Sequence, residues 1–205
     1  MKKRPNVIFI LADDMGYGDV SAFNERCGFH TENLDQLASE GMRFTDAHAA
    51  SAVCTPSRYS ILTGRYPWRS ILKKDVLKGY DRPLIERGRR TVARMFHDEG
   101  YRTACIGKWH LGLDWTLKDP EDKYSVDFHK PVCGGPTSLG FDYFYGISAS
   151  LDMPPYVYLE NDRVTAPPDR EESNWWDRGN SYNKQIFRPG PVGSDFHHEE
   201  VFTRM

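Results

Sequence analysis

The sequence predicts an α/β protein, with a largely parallel or mixed central sheet flanked by helices. Three observations carry this. Short β-rich apolar runs, "NVIFILA" and "YRTACIG", each end in a polar, glycine-bearing loop. Capped amphipathic segments lie between them. The strand–helix–strand alternation is that of parallel sheets, which bury their strands on both faces. The 205 residues suffice for one sizeable core or the larger part of one.

The elements follow in order. Residues 7–12 read as a strand buried on both faces, running into the loop "DDMGYGD". "TENLDQLASEG" reads as a helix capped by Thr31, with Leu34, Leu37 and Ala38 on one face and Gly41 at its end. "MRFTDAHAA" is expected to be a second strand leading into a loop at Cys54. "PSRYSILTG" fits a short helix with Pro56 in its first turn and Gly64 beyond its end. "TVARMFHDEG" is a clearer helix, capped by Thr91, stopped by Gly100, with Val92, Met95 and Phe96 facing inward. "YRTACIG" is a strand followed by the loop "KWHLG". "YVYLENDRVTA" reads as a hairpin turning at Asn161-Asp162. Residues 166–194, rich in Pro, Gly, Asp and Arg, read as a long surface loop or lid.

Composition narrows the function. Apolar residues make up 39% and charged residues 27%, with a net charge of −2 and the signs mixed. This fits a globular protein, and no basic stripe marks a nucleic-acid partner. Nothing approaches a membrane span. The opening "MKKRPNVIFILADD" imitates a signal peptide, but its apolar run is short and two aspartates follow at once. As written the chain is expected to be cytoplasmic; a trimmed signal, with a periplasmic or secreted location, is the alternative. The four cysteines, Cys27, Cys54, Cys105 and Cys133, form no CxxC pair and are expected to be reduced.

Several residues invite chemistry, though singly each fits a bland role. Asp13 and Asp14 repel each other, and a hard divalent cation would relieve that; two carboxylates are too few for a calcium cage. Lys108 and His110 lie two apart, so in an extended segment both can face one anion. Of His197 and His198, neighbours at a helix start, at most one reaches a given site. Cys54 has several readings. "CTPSR" is not a core pattern, so a packing role fits poorly. A thiolate at a helix N-terminus beside Arg58 would be nucleophilic. A cysteine-phosphatase signature, however, puts arginine six places on, where Ser60 stands.

"CTPSRYSILTGR" resembles the modification signature of the sulfatase family, in which Cys-x-Pro-Ser-Arg directs oxidation of the cysteine to formylglycine. Four fixed positions coincide by chance on the order of once per hundred thousand sites. The resemblance extends to "NVIFILADDMGYGD", "TENLDQLASEGMRFTDAHA", "GKWHLG", "GFDYFYG" and "DFHHEEV", in the family's order. It implies an alkaline-phosphatase-like fold in which residues 1–205 form the amino-terminal part of the catalytic domain. It implies calcium on Asp13, Asp14 and the modified Cys54. Arg58 would hold the aldehyde hydrate, Lys108 would bind sulfate and the diol oxygen, and His110 would take a proton from the diol. His198 would contact sulfate and protonate the leaving oxygen. The family's further Asp-Asn pair and second lysine come from segments after the His198 region, so these 205 residues alone are expected to be nearly inactive.

The expected function is that of a sulfuric ester hydrolase acting on a sulfated carbohydrate or an aryl sulfate, partnered by a formylglycine-generating maturation enzyme. Alternatives are a phosphonate or phosphate monoester hydrolase of the same superfamily, or a non-catalytic fragment. Among the aromatics, Trp68, Trp109, Trp115, Tyr156, Trp175 and Trp176 can stack on sugar rings or serve in packing.

Overall fold

The computed structural model describes residues 4–172 and 188–205, in two compact units, Met1–Ala49 and Ala50–Met205. In the second unit, helix α2 (Cys54–Thr63) starts where Val53 is still extended (φ −132°, ψ 161°). The Ser57 amide donates to the Val53 carbonyl at 3.2 Å. The helix stops at Gly64, whose φ of 66° is the left-handed conformation that glycine adopts without a Cβ penalty. Cys54 is thus the first helical residue and not part of a preceding loop: the Val53 carbonyl already accepts the Ser57 amide, and Pro56, with no N–H to leave unpaired, fits the first turn.

Helix α3 (Val92–Asp98) is capped as its sequence predicts: Thr91 Oγ1 accepts from the Arg94 amide at 3.1 Å. Its inward face differs from expectation. Ala93 is buried, Val92 and Phe96 are half-buried, and Met95 is exposed. The first turn packs against backbone at Gly140, where a Cβ would lie 2.5 Å from the Arg94 nitrogen. That close approach rotates the small residue, not the methionine, inward.

The main sheet has the order β1 (Ala104–Lys108), β2 (Tyr143–Ile147), β3 (Tyr158–Glu160), β4 (Arg163–Val164). β1 and β2 are parallel; β2–β3 and β3–β4 are antiparallel, so the sheet is mixed. The β3–β4 hairpin turns at Asn161-Asp162, with Asn161 at φ 57°, as its turn chemistry predicts. Gly107 opposes Gly146 across the parallel pair, and a Cβ on Gly146 would fall 1.8 Å from the Gly107 carbonyl oxygen.

Side chains alternate along 156–159. Val157 and Leu159 join a core with Tyr59, Trp109, Leu111, Leu113 and Phe144. Tyr156 and Tyr158 face the other way, into a core with Ile147, Val192, Phe196 and Val201. The sheet is therefore covered on both sides, and each fully buried apolar side chain contributes roughly 1.5–3 kcal/mol. Within the stretch read as a loop or lid, β5 (Pro168–Glu172) pairs antiparallel with β6 (Gly190–Gly193). Arg170 donates to the carbonyls of Gly193 and Phe196, which helps bring these glycine- and proline-rich residues into a ladder. The part of the lid reading that covers 173–187 lies outside the described residues.

The first unit is different. Helix α1 (Glu32–Glu40) ends at Gly41 as expected. Thr31 precedes it, yet its hydroxyl does not cap the helix; it donates to Asp35 Oδ1 at 2.9 Å and meets Ser21 Oγ at 3.0 Å. The Asp35 carboxylate also accepts from Ser21 Oγ and the Ala22 amide. The expected apolar face is uncovered: Leu34 and Leu37 are exposed, and no described residue of 4–49 is buried. Residues 7–12 are not a strand, and Ile8 is 85% exposed. Residues 42–50 are not a strand either. A strand exists through ladder partners for its amides and carbonyls; among the described residues, neither segment has one.

Candidate active site

The first turn of α2 meets the end of β1. Arg58 donates through a guanidinium N–H to the Lys108 carbonyl. Thr55, fully buried, donates through Oγ1 to the His110 carbonyl at 3.0 Å and accepts from the Leu77 amide at 3.2 Å. Two consecutive inward positions of the helix thereby grip the backbone that carries Lys108 and His110, bringing these residues to the Cys54 end of the helix. Cys54 is half-buried.

Lys108 and His110 do not project from one extended segment. His110 adopts φ 56°, which turns the chain. Its side chain is fully buried, which also excludes a surface histidine. Its Nε2 lies 2.7 Å from the Leu77 carbonyl. A carbonyl only accepts, so Nε2 carries a proton and any acceptor role of the ring falls to Nδ1. Lys108 Nζ instead donates to Ser150 Oγ at 2.9 Å.

His198 opens the short 3-10 turn His198–Glu200 that runs into α4 (Val201–Arg204), while His197 is exposed. The His198 ring packs edge-on against Tyr156 and Phe196, with centroids at 4.7 and 5.1 Å. Burial lowers its affinity for a proton, and Arg170 adds to that effect; Glu199 and the bond to the Leu151 backbone act in the opposite sense.

Residues 148–151, directly after β2, link these groups. The Ser148 carbonyl accepts the His110 amide, Ser150 accepts Lys108, and Leu151 bonds His198. Sequence reasoning missed this segment, and Thr55 and Leu77 as well. One signal was available: ligands of such sheets gather beyond the carboxyl ends of parallel strands, and 148–151 follows the parallel partner of β1.

Cys105 lies in β1, and burial pushes its thiol up to about 11 against the nearby charge of Arg58. Burial thus disfavours its thiolate form. All four cysteines are free, as expected.

Asp13 and Asp14 belong to the first unit. Asp14 sits at φ 58°, and both carboxylates are exposed. Their hard oxygens suit a calcium ion, but two residues fall short of the six to eight oxygen ligands such an ion takes. Among the described residues no three of His, Cys, Asp and Glu converge as a metal site. Asp19 has another role: its carboxylate accepts the Gly16 amide at 2.8 Å.

A mixed sheet with helices, and polar groups gathered beyond its parallel strands, defines an α/β architecture with a candidate site at the strand ends. A solved structure described under the metabolism of multiple glycosaminoglycans by Bacteroides thetaiotaomicron superposes with a TM-score of 0.71 at 38% identity, covering 84% of this chain and 34% of that one. The family profile named Sulfatase matches residues 5–191. An N-acetylgalactosamine-6-O-sulfatase of Bacteroides thetaiotaomicron is 40% identical over 79% of this chain and 30% of its own length. The human steryl-sulfatase is 41% identical over 71% of this chain and 24% of its own length. The chain belongs to the sulfatase family, with its alkaline-phosphatase-like fold. It spans about a quarter to a third of the length of these relatives. Among the described residues no helix is long and apolar enough to cross a membrane.

Proposed function

We propose that the protein hydrolyses the sulfate ester of a sulfated carbohydrate, with a formylglycine hydrate made from Cys54 as nucleophile. The observation that supports this reading best is the double grip of Thr55 and Arg58 on the backbone of His110 and Lys108. It holds a cation pair and a basic imidazole at the Cys54 end of α2. The carbohydrate is favoured by a relative named for an N-acetylgalactosamine sulfate and by a structural neighbour from glycosaminoglycan metabolism.

In this reading Asp13, Asp14 and the modified Cys54 hold calcium together with further oxygen donors. A calcium ion held there would supply positive charge against the sulfate. Arg58 holds the diol against its developing charge, and Lys108, oriented by Ser150, binds a sulfate oxygen. One diol hydroxyl forms a bond to sulfur, and the sulfur–oxygen bond to the alcohol breaks. His198, whose affinity for a proton is lowered by burial, contacts the sulfate and passes the proton shed by the attacking hydroxyl to the leaving oxygen. His110 then accepts the proton of the remaining hydroxyl at Nδ1. The carbon–oxygen bond to sulfate breaks and the aldehyde re-forms. A serine would be left as a stable ester; the second hydroxyl removes the need for water to cleave it.

The test is the state of Cys54. The chain is made in a host with a working formylglycine-generating enzyme, and its tryptic peptides are weighed and labelled for aldehyde. Cys54 is expected to be the aldehyde, and Cys27, Cys105 and Cys133 thiols. A plain thiol at Cys54, where a control sulfatase is converted, refutes the mechanism. In the protein extended to its relatives' length, Asp13→Ala or Asp14→Ala should weaken calcium binding and abolish turnover, and Asp19→Ala should do much less. Faster turnover of an aryl phosphate than of the matching aryl sulfate would move the assignment to phosphate monoesters.

A further inference from the structure

Of the aromatics that could stack on sugar rings, Trp109, Trp115 and Tyr156 are buried in cores, whereas Trp68 is 59% exposed and its neighbour Tyr66 56%. Trp175 and Trp176 lie outside the described residues. The rings of Tyr66 and Trp68 stack on each other with centroids 4.1 Å apart and planes at 12°. Stacking buries one face of each ring and leaves the outer faces to solvent, an arrangement that packing alone does not call for.

The pair is built and held in place. Pro67 fixes the first position of the 3-10 turn Pro67–Arg69, which sets residues 66 and 68 on one side. The Arg69 amide donates to the Tyr66 carbonyl at 3.1 Å, and the Ser70 amide to Pro67 at 2.9 Å. Lys73 Nζ donates to the carbonyls of Trp68 and Ser70 at 2.9 and 2.7 Å. The turn is therefore preorganised without help from a ligand.

Its surroundings are cationic in a chain of net charge −2. Residues 65–78 hold five cations, Arg65, Arg69, Lys73, Lys74 and Lys78, against one carboxylate, Asp75. Arg65 pairs with Glu86 and Lys78 with Asp75. Among the described residues Arg69, Lys73 and Lys74 have no carboxylate partner. Flat aromatic faces beside unneutralised cations suit a ligand that is apolar on one face and anionic at its edge. A sulfated sugar ring has this form: its axial C–H face stacks on the aromatic ring while its sulfate groups meet the cations.

We propose that Tyr66 and Trp68 form a stacking platform for a sulfated saccharide unit, flanked by Arg69 and Lys74. The platform lies beyond the carboxyl end of α2, and Cys54 at its amino end. Ten residues of helix separate them by about 15 Å along the axis, so the platform holds a different unit of a polymer from the one whose ester meets Cys54. This deepens the carbohydrate reading above and rests on it for the ligand class, but it does not require a modified Cys54.

The experiment uses the full chain with Cys54→Ala, so that neither oxidation nor turnover enters. Calorimetric titration with a chondroitin sulfate hexasaccharide is compared with its desulfated counterpart. Trp68→Ala is expected to weaken binding about tenfold or more, Trp68→Phe to restore most of it, and Arg69→Ala with Lys74→Ala to weaken it and flatten its salt dependence. The desulfated sugar should bind far more weakly. Equal affinity of the Trp68→Ala chain and its parent would overturn the proposal, as would inorganic polyphosphate binding that matches the hexasaccharide and ignores Trp68. Binding that survives in the Cys54→Ala chain, while Cys54 stays a thiol in the modification assay, would leave the platform standing and remove only the formylglycine mechanism.

Discussion

Two phenylalanines show how differently the two units treat apolar side chains. Phe144, in β2, is fully buried between Trp109 and the α2 side of the core. Phe9, in the most apolar run of the sequence, is 70% exposed. The second unit thus supplies its own cover, with ladder partners on β2 and residues on both faces of the sheet. The first unit relies on polar bonds, chiefly those converging on Asp35. An apolar run is a demand for burial, and only its neighbours decide whether the demand is met.

Phe144→Ala should destabilise the second unit by about 3–5 kcal/mol, and Phe9→Ala should change stability by less than about 0.5 kcal/mol. Denaturant-dependent hydrogen exchange at the backbone amides reads both units, whereas tryptophan fluorescence would report the second alone, since every tryptophan of the sequence falls in it. Similar losses from the two variants would mean that residues 7–12 are covered in solution and would dissolve the contrast.

A glycine pair sharpens it at smaller cost. Gly146→Ala drives a Cβ against the Gly107 carbonyl across the parallel ladder, and about 3 kcal/mol should be lost. Gly28 has open space around its Cβ position, so Gly28→Ala should be close to neutral by the same measurement. A tolerated Gly146→Ala would show that β1 and β2 do not approach as described.

The smallest effect is one of pH and touches the first unit alone. The Ser21 hydroxyl, with Thr31, the Ala22 amide and His30, holds the Asp35 carboxyl below its ordinary value, against some desolvation. A lowered folded-state pKa contributes stability that is present above the unfolded value and is lost as pH falls through the folded one. The protection factor of the Ala22 amide, its exchange relative to the intrinsic rate at each pH, should therefore fall below about pH 4, and Asp35→Asn should remove that pH dependence. Protection unchanged by acid would separate Asp35 from the order of 21–35.

Much of the local structure was legible in the residues themselves. The Thr91 cap, the Gly64 stop, the Asn161-Asp162 turn and the strand before "KWHLG" all depend on interactions within a few residues. What was not legible depends on partners far along the chain. Residues 7–12 carry every strand preference and lack a ladder. His110 reads as a loop histidine, yet Thr55 and Leu77 bury it from 55 and 33 residues away. At the candidate site the residue types were readable and their bearings were not: nothing in "GKWHLG" says that lysine turns to Ser150 and histidine to a carbonyl.

The stretch 148–151 sets the spacing of the site as a gauge block sets a machine tool. The His110 backbone amide meets the Ser148 carbonyl, the Lys108 side chain the Ser150 hydroxyl and the His198 ring the Leu151 backbone, so three groups take their alignment from four consecutive residues. A change of residue type there disturbs at most one bearing; a change of length shifts all three together. Insertions or deletions at this point should therefore be far less tolerated than substitutions, and the number of residues between β2 and Leu151 is a dimension of the candidate site in its own right.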